Sequence, residues 1–244
     1  MNIALIGYGK MGREIEAQAL SRNHKIILKV DVENASSFSN EELAKADVAI
    51  EFSTPHTAYD NILKCFQADV PVVVGTTGWL DKLEDVKKVC AEKDQSLFYS
   101  SNFSIGVNIF FEINKKLAQL MMTQEQYEVS IEEIHHTQKL DSPSGTAVTL
   151  GNDLIKNIGR KKSWVNISPG KQKQTTDASQ LLITSVRTEN VPGTHTISYS
   201  SDVDNIEIKH TAHSRKGFAS GALMAAEWLP GKKGIFTMQD LLKL

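Results

Sequence analysis

The chain has 244 residues, 41% of them hydrophobic, with 27 basic and 29 acidic side chains and a formal charge of −2. The chain length and hydrophobic content are enough for one large or two small packed domains. The balanced charge gives no indication of a nucleic-acid partner. No apolar stretch approaches the length of a membrane span, the N-terminus leads directly into a strand, and two isolated cysteines suit a reducing compartment. We therefore expect no membrane partner and a cytoplasmic location.

The first predicted elements carry a dinucleotide-binding fingerprint. An apolar strand over residues 2–6 is followed by Gly7-Tyr8-Gly9-Lys10-Met11-Gly12 and a helical pattern. Here the glycines permit a tight turn, close approach of a pyrophosphate and close helix packing, and the phosphates lie at the helix N-terminus. A second strand, Ile26 to Val32, carries Asp31 about twenty residues later, where a carboxylate can bind the ribose hydroxyls. We therefore predict that a nicotinamide cofactor binds Gly7, Gly9, Lys10, Met11, Gly12, Arg13 and Asp31.

The charged residues of this fingerprint leave the choice of cofactor open. Lys10 and Arg13 can pair with a 2′-phosphate, whereas Asp31 favours a free ribose hydroxyl. The sequence therefore does not separate NADPH from NADH.

Strands and helices then alternate through the first hundred residues. Apolar runs at 48–52, 72–74 and 97–99 are separated by helical patterns, one begun by a capping box at Ser39–Glu42 and one over 80–91. Repeated β-α units predict a parallel, doubly wound sheet that binds ligands at the carboxyl ends of its strands. Small and hydroxylic residues follow those ends, and we predict further cofactor contacts from Ser53, Gly75, Thr76, Thr77, Ser100, Ser101, Asn102 and Phe103.

The pattern changes after a predicted helix at 106–122. Strand candidates follow at 129–135, 181–186, 194–199 and 203–210. With few helices between them, they predict a mostly antiparallel sheet packed on one face by a helix over 146–158. The polar segment 160–179, with three lysines from Lys161 to Lys171, is interpreted as a mobile, solvated loop, and a last helical pattern over 218–229 is placed to return to the first domain.

The densest chemical motif joins the strand that ends at His135 to the helix that follows. It contains two adjacent histidines, Lys139 and a Ser-Gly-Thr turn at residues 144–146. A helix start leaves backbone N–H groups unpaired and carries the positive end of the dipole, so this turn can hold a carboxylate or phosphate. The alternative is that Ser144 or Thr146 merely caps the helix and that Lys139 is a solvated charge.

The histidine pair favours acid–base chemistry. Histidine titrates near neutral pH and commonly gives a proton to a reacting group. Consecutive strand residues point to opposite faces, so we expect one of His135 and His136 to act directly and the other indirectly. A zinc site is not predicted, because adjacent histidines lack a ligand spacing and Cys65 and Cys90 lack a Cys-x-x-Cys partner.

Five motifs, taken in order, resemble the 4-hydroxy-tetrahydrodipicolinate reductases, also called dihydrodipicolinate reductases. They are Gly7–Arg13, Gly75–Gly78, Ser101–Asn108, His135–Ala147 and His210–Arg215. The resemblance spans nearly the whole chain. It implies a homotetramer with central sheets at the subunit interfaces, which uses NADPH or NADH to reduce a cyclic imine dicarboxylate on the route to diaminopimelate and lysine.

The resemblance and the residue chemistry together predict roles for the motif and the domains. His135 is the expected general acid, and Lys139 is expected to stabilise the developing charge. The dicarboxylate substrate needs two anion sites, which we assign to His136, Ser144, Gly145 and Thr146 with Lys139. The predicted fold is α/β: a Rossmann-type parallel-sheet domain at 1–106, completed by 216–244, and an α+β domain at 107–215 for substrate binding and oligomerisation.

Two other classes of protein share part of this pattern. A different nicotinamide enzyme, such as an amino-acid or homoserine dehydrogenase, would share the first domain. A non-catalytic NAD-binding regulator would use the second domain as a dimerisation or effector surface. Neither class has a reason to carry the histidine pair, the lysine and the Ser-Gly-Thr turn in one segment.

Overall fold

A computed structural model of the chain describes residues 1–34, 38–168 and 177–244. They divide into two compact units, one formed by Met1–Asn108 with Arg215–Leu244 and the other by Ile109–Ser214. The C-terminal segment therefore belongs to the first unit. Within the described ranges no helix is long and apolar enough to cross a membrane.

The first unit is built on a six-stranded parallel sheet. Its strands are β1 (Asn2–Ile6), β2 (Lys25–Val30), β3 (Val48–Glu51), β4 (Val72–Val74), β5 (Ser96–Tyr99) and β11 (Gly234–Phe236). Their order in the sheet is β11-β5-β4-β3-β1-β2, and every pairing is parallel. The predicted parallel sheet is confirmed, and the strand order reverses between β1 and β3, where doubly wound sheets bind their ligands.

Helices cover both faces of this sheet. They are α1 (Lys10–Ser21), α2 (Asn40–Leu43), α3 (Pro55–Gln67), α4 (Leu83–Glu92), α7 (Lys216–Trp228) and α8 (Met238–Leu242). Alternate residues of β1 point to opposite faces: Ile3 and Leu5 pack in the core under α1 and α7, and Ala4 and Ile6 in the core under α3. Strands β1, β3 and β4 are thus buried on both sides, which explains why their sequences are nearly continuous apolar runs.

Two local predictions in this unit can be compared with the structure. Ser39 and Glu42 form the predicted capping box, in which the Ser39 hydroxyl accepts from the Glu42 amide at 3.2 Å and the Glu42 carboxylate accepts from the Ser39 amide at 3.0 Å. The helix predicted over 80–91 is a 3-10 turn, Leu80–Lys82, followed by α4.

The second unit contains a five-stranded mixed sheet. Its strands are β6 (Glu128–His135), β7 (Ser163–Ile167), β8 (Gln180–Arg187), β9 (Gly193–Ser200) and β10 (Asn205–Ala212), in the order β10-β9-β6-β8-β7. The antiparallel pairings of β9 with β10 and β6 join eight and seven residue pairs, and the parallel pairings of β8 with β6 and β7 join six and five. The sheet is therefore mostly antiparallel, as predicted, with an unpredicted parallel part.

Two helices complete this unit around an apolar core. They are α6 (Gly145–Asn157) and the greater part of α5 (Ile105–Met121). Leu150 and Leu154 of α6 pack with Ile131 of β6 and Ile183 of β8 in a fully buried cluster. The amphipathic pattern that predicted a helix over 146–158 thus marks the face that covers the sheet.

The interpretation of residues 160–179 as a solvated loop is wrong for its first part. Ser163–Ile167 is strand β7, which pairs in parallel with β8 at the edge of the sheet. Lys161 is buried, and its ammonium group contacts Glu128 and donates to the carbonyl oxygens of Ala178 and Gln180 at 2.8 and 3.0 Å. Strand β7 was not predicted because the segment is polar, and an edge strand that is only half-buried needs little apolar surface. Residues 169–176, in the rest of the predicted loop, lie outside the described residues.

Candidate active site

The glycine-rich turn of the first unit has the shape that a bound dinucleotide requires. A Cβ atom on Gly7, whose φ is +93°, would lie 2.1 Å from the Phe52 carbonyl oxygen, and one on Gly12 would lie 2.4 Å from the Gly7 carbonyl oxygen. A Cβ on Gly9 would have no described atom within 4 Å. Gly7 and Gly12 are therefore required by close packing, whereas Gly9 leaves the N-terminus of α1 open to a ligand.

The charged residues predicted to bind the cofactor lie at the same edge of the sheet. Lys10 and Arg13 are exposed in the first turn of α1, which holds no acidic residue. Asp31 is exposed directly after β2, and its Oδ1 atom accepts from the Val32 amide at 2.7 Å. The N-terminus of α1 thus favours phosphate groups, and it is followed by exposed cations, while the end of β2 carries an exposed carboxylate.

The remaining predicted cofactor residues follow β3, β4 and β5. The Ser53 amide donates to the Thr76 hydroxyl at 2.8 Å, so the turns after β3 and β4 meet. Gly75 lies against the Phe52 ring, and Thr77 and Ser101 are exposed. The Ser100 hydroxyl donates to the carbonyl oxygen of Asn102 at 2.8 Å. Phe103 differs from the others, because its side chain is 2% exposed and packs in the core against Phe98 and Phe52. The predicted cofactor contact from the Phe103 side chain is therefore not supported by its position.

The second unit buries an acidic and a basic side chain side by side on β6. Glu133 and His135 are two residues apart and therefore share one face of the strand. In the sheet register Glu133 is opposite His195 of β9 and Ser185 of β8, and His135 is opposite Arg187 of β8. The β6 strand thus brings together polar groups from three strands, and Glu133 among them is 0% exposed.

Several groups converge on the Glu133 carboxylate. They are the Ser185 hydroxyl at 2.8 Å, the Arg187 guanidinium and the Ser144 amide at 3.1 Å, Nδ1 of His135 at 3.4 Å and Nε2 of His195 at 3.7 Å. Burial alone would raise the pKa of Glu133, but the neighbouring His135 and His195 and the hydrogen bonds from Ser144 and Ser185 together hold the pKa far below its usual range. Glu133 is therefore an ionised carboxylate at the centre of the site.

The two histidines of this cluster face each other. The His135 and His195 rings lie 5.1 Å apart with an interplanar angle of 71°, and Nε2 of His195 is 3.1 Å from the Ser144 hydroxyl. Burial lowers the pKa of His195, and Glu133 partly offsets the effect. Gly193 makes room for the His135 ring, because a Cβ there would lie 3.0 Å from Nε2 of His135.

Glu133, His135 and His195 also have the composition of a metal site. Their ligand atoms all lie within 4.8 Å of one another. The Arg187 guanidinium and the Ser144 amide already bind the same carboxylate, and a cation beside the guanidinium would be repelled. We therefore interpret the cluster as a hydrogen-bonded network, and the absence of a metal stays a prediction.

The Ser-Gly-Thr turn divides into two parts. Ser144 is the N-cap of α6: its hydroxyl accepts from the Ala147 amide at 3.2 Å, and its own amide donates to Glu133. At 2% exposure, Ser144 is committed to the protein, as in the capping alternative. Gly145 is exposed and Thr146 is half-buried in the first turn of α6. Their amides are placed to bind an anion.

The loop between β6 and α6 holds the other predicted residues. β6 ends at His135, so His136 lies outside the strand and is half-buried. The ammonium group of Lys139 lies 2.8 Å from Oδ1 of Asp141. Arg187 donates to the carbonyl oxygen of Asp141 at 2.6 Å and to the Glu133 carboxylate. The position of the loop is therefore tied to Glu133.

Sequence reasoning missed Glu133, His195, Arg187 and Ser185. A local signal existed for Glu133, because β6 alternates the buried Val129 and Ile131 with less buried residues and then continues the buried positions with Glu133 and His135. A charged residue on an apolar stripe indicates a functional or paired group. The other three depend on the strand register, which no local pattern specifies.

The parallel nucleotide-binding sheet and the buried acid–base cluster define a class, the nicotinamide-dependent oxidoreductases. Comparison with known proteins narrows this class. Residues 1–103 match the family description "Dihydrodipicolinate reductase, N-terminus", and residues 106–242 match "Dihydrodipicolinate reductase, C-terminus".

Individual relatives agree with this match. A 4-hydroxy-tetrahydrodipicolinate reductase of Christiangramia forsetii is 50% identical over 244 residues, covering 99% of this chain and 98% of the relative. One of Neisseria gonorrhoeae is 35% identical over 231 residues, covering 94% and 84%. The solved dihydrodipicolinate reductase of Paenisporosarcina sp. TG-14, with dipicolinate bound, has the same fold, with a TM-score of 0.74 at 23% identity and 97% of each chain covered.

The chain belongs to the dihydrodipicolinate reductase family. The resemblance seen in the sequence motifs is confirmed, as are the enzyme class and the use of a nicotinamide cofactor. Family membership selects a reductase over the two alternatives, an amino-acid or homoserine dehydrogenase and a non-catalytic regulator.

Proposed function

We propose that this protein catalyses the NAD(P)H-dependent reduction of 4-hydroxy-tetrahydrodipicolinate to tetrahydrodipicolinate, in diaminopimelate and lysine biosynthesis. The observation that carries the proposal is the buried Glu133 carboxylate, which holds both His135 and the start of α6. A proton donor and an anion site are thereby fixed in one network. The names of the relatives and the dipicolinate bound to the Paenisporosarcina enzyme support a small dicarboxylate as substrate.

The first unit has the residues to hold the cofactor. The open N-terminus of α1 at Gly9 suits the pyrophosphate, and the turns after β3, β4 and β5 suit the nicotinamide end. When bound, the nicotinamide supplies a hydride to the substrate ring. The protein residues orient this cofactor and exchange the proton.

The start of α6 binds one substrate carboxylate in this proposal. Gly145 and Thr146 offer backbone amides and a hydroxyl at the positive end of the helix dipole. Lys139 and His136, in the preceding loop, bind the second carboxylate. Ser144 differs from the sequence prediction, because its amide and hydroxyl are already bound within the protein and it acts by capping the helix.

The overall reaction takes up one hydride and one proton and releases the 4-hydroxyl group as water. His135 donates the proton that completes the reduction. Its Nδ1 atom faces Oε2 of Glu133 at 3.4 Å, so Nε2 is the atom left to carry the transferred proton. The space beside Gly193 allows the ring to keep this orientation. Lys139 stabilises the negative charge that develops as the ring accepts a hydride.

A spectrophotometric assay tests the function directly. With freshly prepared 4-hydroxy-tetrahydrodipicolinate, we expect oxidation of both NADH and NADPH, at kcat/KM values within about two orders of magnitude of each other. The reason is that Asp31 and the cations Lys10 and Arg13 have opposed effects at the adenosine ribose. Each cofactor without substrate is the control. Absence of substrate-dependent oxidation with both cofactors would refute the proposal.

The anion site is tested by removing one hydroxyl. We expect Thr146→Val to raise the KM for substrate about tenfold, since one charge-assisted hydrogen bond is lost, and to leave Tm within a few degrees of the parent. Thr149→Val is the matched control on the same helix, because the Thr149 hydroxyl donates to the Gly145 carbonyl oxygen at 3.0 Å. Thr149→Val should leave KM unchanged.

Lys139→Met extends the test to the second carboxylate, and it should also raise the KM for substrate while cofactor affinity stays constant. Titration calorimetry with pyridine-2,6-dicarboxylate supplies an independent readout. Equal affinity for this ligand in Thr146→Val, Lys139→Met and the parent would place the substrate site elsewhere.

We further propose a cytoplasmic location and a homotetramer. Cys65 and Cys90 are both free and buried, which suits a reducing compartment. The homotetramer rests on the family resemblance of the sequence motifs.

A further inference from the structure

A second buried carboxyl group lies in the first unit, outside the residues assigned above. Glu51 is the last residue of β3 and is 0% exposed. Its Oε1 atom accepts from the Ser53 amide at 3.1 Å, from the Asn61 side-chain amide at 3.3 Å and from the Ser53 hydroxyl. Its Oε2 atom is buried without a hydrogen-bond partner among the described residues.

This carboxyl group connects the turns after β3 and β4 to helix α3. The Ser53 amide, which donates to Glu51, also donates to the Thr76 hydroxyl at 2.8 Å. Asn61 of α3 donates to both Glu51 and the Ser53 hydroxyl. A displacement of Glu51 therefore displaces Ser53, and with it the partner of Thr76.

The surroundings of Glu51 favour its neutral form. Burial raises the pKa of Glu51, and the hydrogen bonds from Ser53, Thr76 and Asn61 offset only part of that effect. Burial also raises the pKa of the Cys65 thiol of α3, and the charge of an ionised Glu51 adds to that effect. An ionised Glu51 would place a buried negative charge on a carboxylate with an unpartnered oxygen, which is energetically costly. The neutral form avoids this cost.

We propose that Glu51 is a positioning residue for cofactor binding, whose hydrogen bonds to Ser53 hold Ser53 and its partner Thr76 in the geometry that meets the nicotinamide end of the cofactor. This inference rests on the proposed function, which assigns Ser53 and Thr76 to the cofactor. Glu51 itself does not touch the cofactor in this scheme. It is distinct from Glu133, which is ionised and belongs to the second unit.

Cofactor binding by Glu51→Ala and Glu51→Gln tests the proposal. We expect Glu51→Ala to raise the Kd of both NADH and NADPH at least about tenfold, measured by nicotinamide fluorescence, because the acceptor for Ser53 is lost. Glu51→Gln keeps an acceptor oxygen and should restore Kd to within about threefold of the parent. A Glu51→Gln variant that binds as weakly as Glu51→Ala would overturn the proposal, because the charge itself would then be required.

The pH dependence of Tm gives a second readout, which does not require cofactor. A carboxyl group whose folded pKa is raised makes the parent lose stability as pH rises above the unfolded pKa. We therefore expect Glu51→Gln and the parent to melt together near pH 4.5, and Glu51→Gln to melt at least about 2 °C higher at pH 8. Glu92→Gln, at an exposed site on α4, is the charge-matched control and should show no such gain. An unchanged difference from pH 4.5 to 8 would contradict the protonated form.

Ser53→Ala separates failure of this inference from failure of the proposed function. If Ser53→Ala raises the cofactor Kd and Glu51→Ala does not, the role of Glu51 is wrong and the cofactor assignment stands. If neither variant changes Kd while the enzyme still oxidises the cofactor, the assignment of Ser53 and Thr76 to the cofactor is wrong. The proposed role of Glu51 is then wrong as well. If Glu51→Ala does not fold, the cofactor Kd of Glu51→Gln and the pH dependence of its Tm test the proposal instead.

Discussion

We expect His135→Ala to lower kcat about a hundredfold or more, with a small change in the KM for substrate. Loss of a general acid removes stabilisation of the transition state, whereas ground-state binding of the dicarboxylate is proposed to depend on Gly145, Thr146 and Lys139. Steady-state kinetics with saturating cofactor measures both constants.

His136→Ala is the neighbouring control for this variant. His136 lies outside β6 and is assigned to a substrate carboxylate, so its loss should act mainly on KM. If His135→Ala kept more than half of the parent turnover, His135 would be a structural residue and the proton would have to come from another group.

The second large effect is expected from Glu133→Gln. The substitution keeps the shape of the side chain but removes the charge, leaving Arg187 and two histidines without their shared buried partner. We expect the free energy of unfolding to fall by about 3 kcal/mol at pH 7, a decrease in Tm of roughly 6 to 12 °C. The kcat should fall about a hundredfold as well, because the His135 ring loses the group that orients it.

The pH dependence of this loss follows from the lowered pKa of Glu133. A carboxylate whose folded pKa is depressed contributes its full stability above the unfolded value, near 4.5, and loses it as pH falls toward the folded value. The difference in Tm between parent and Glu133→Gln should therefore be largest at neutral pH and shrink below about pH 4.5. Thermal melts from pH 3 to 8 measure it.

Glu132→Gln is the matched control for Glu133→Gln. Glu132 is the preceding residue of β6 and is exposed, because it points to the opposite side of the sheet. Its substitution should change neither Tm nor kcat appreciably. Equal melting of Glu133→Gln and the parent at pH 7 would show that the network contributes no net stability.

The sequence predicted the first sheet well because its signals are local. A buried parallel strand is a continuous apolar run, and Gly7 of the fingerprint is required locally because an added Cβ atom would lie 2.1 Å from the Phe52 carbonyl oxygen. Strands β7 and β11 were not predicted, because they lack such local signals. Both are short edge strands with half-buried residues, and their pairing depends on partners far away in the chain.

The candidate site was predictable only where its residues lie in one segment. His135, Lys139 and Thr146 lie within twelve residues of one another in the sequence, so composition and spacing revealed them. His195 joins the same site through its antiparallel register with Glu133, across more than fifty intervening residues. Strand register arises from the whole sheet, and a single sequence offers no local measure of it.

The C-terminal helix α7 has a consequence for the order in which the chain folds during synthesis. Ala222 and Leu223 of α7 fill the core over one face of the first sheet, against Ile50, Val73 and Phe98. When residues 1–214 have left the ribosome, every strand of the second unit is available for folding. The first unit at that point still lacks helix α7, which covers this face of its sheet. The unit that begins the chain is the last to complete its core, and its nascent apolar surface must be shielded until residue 228 has emerged.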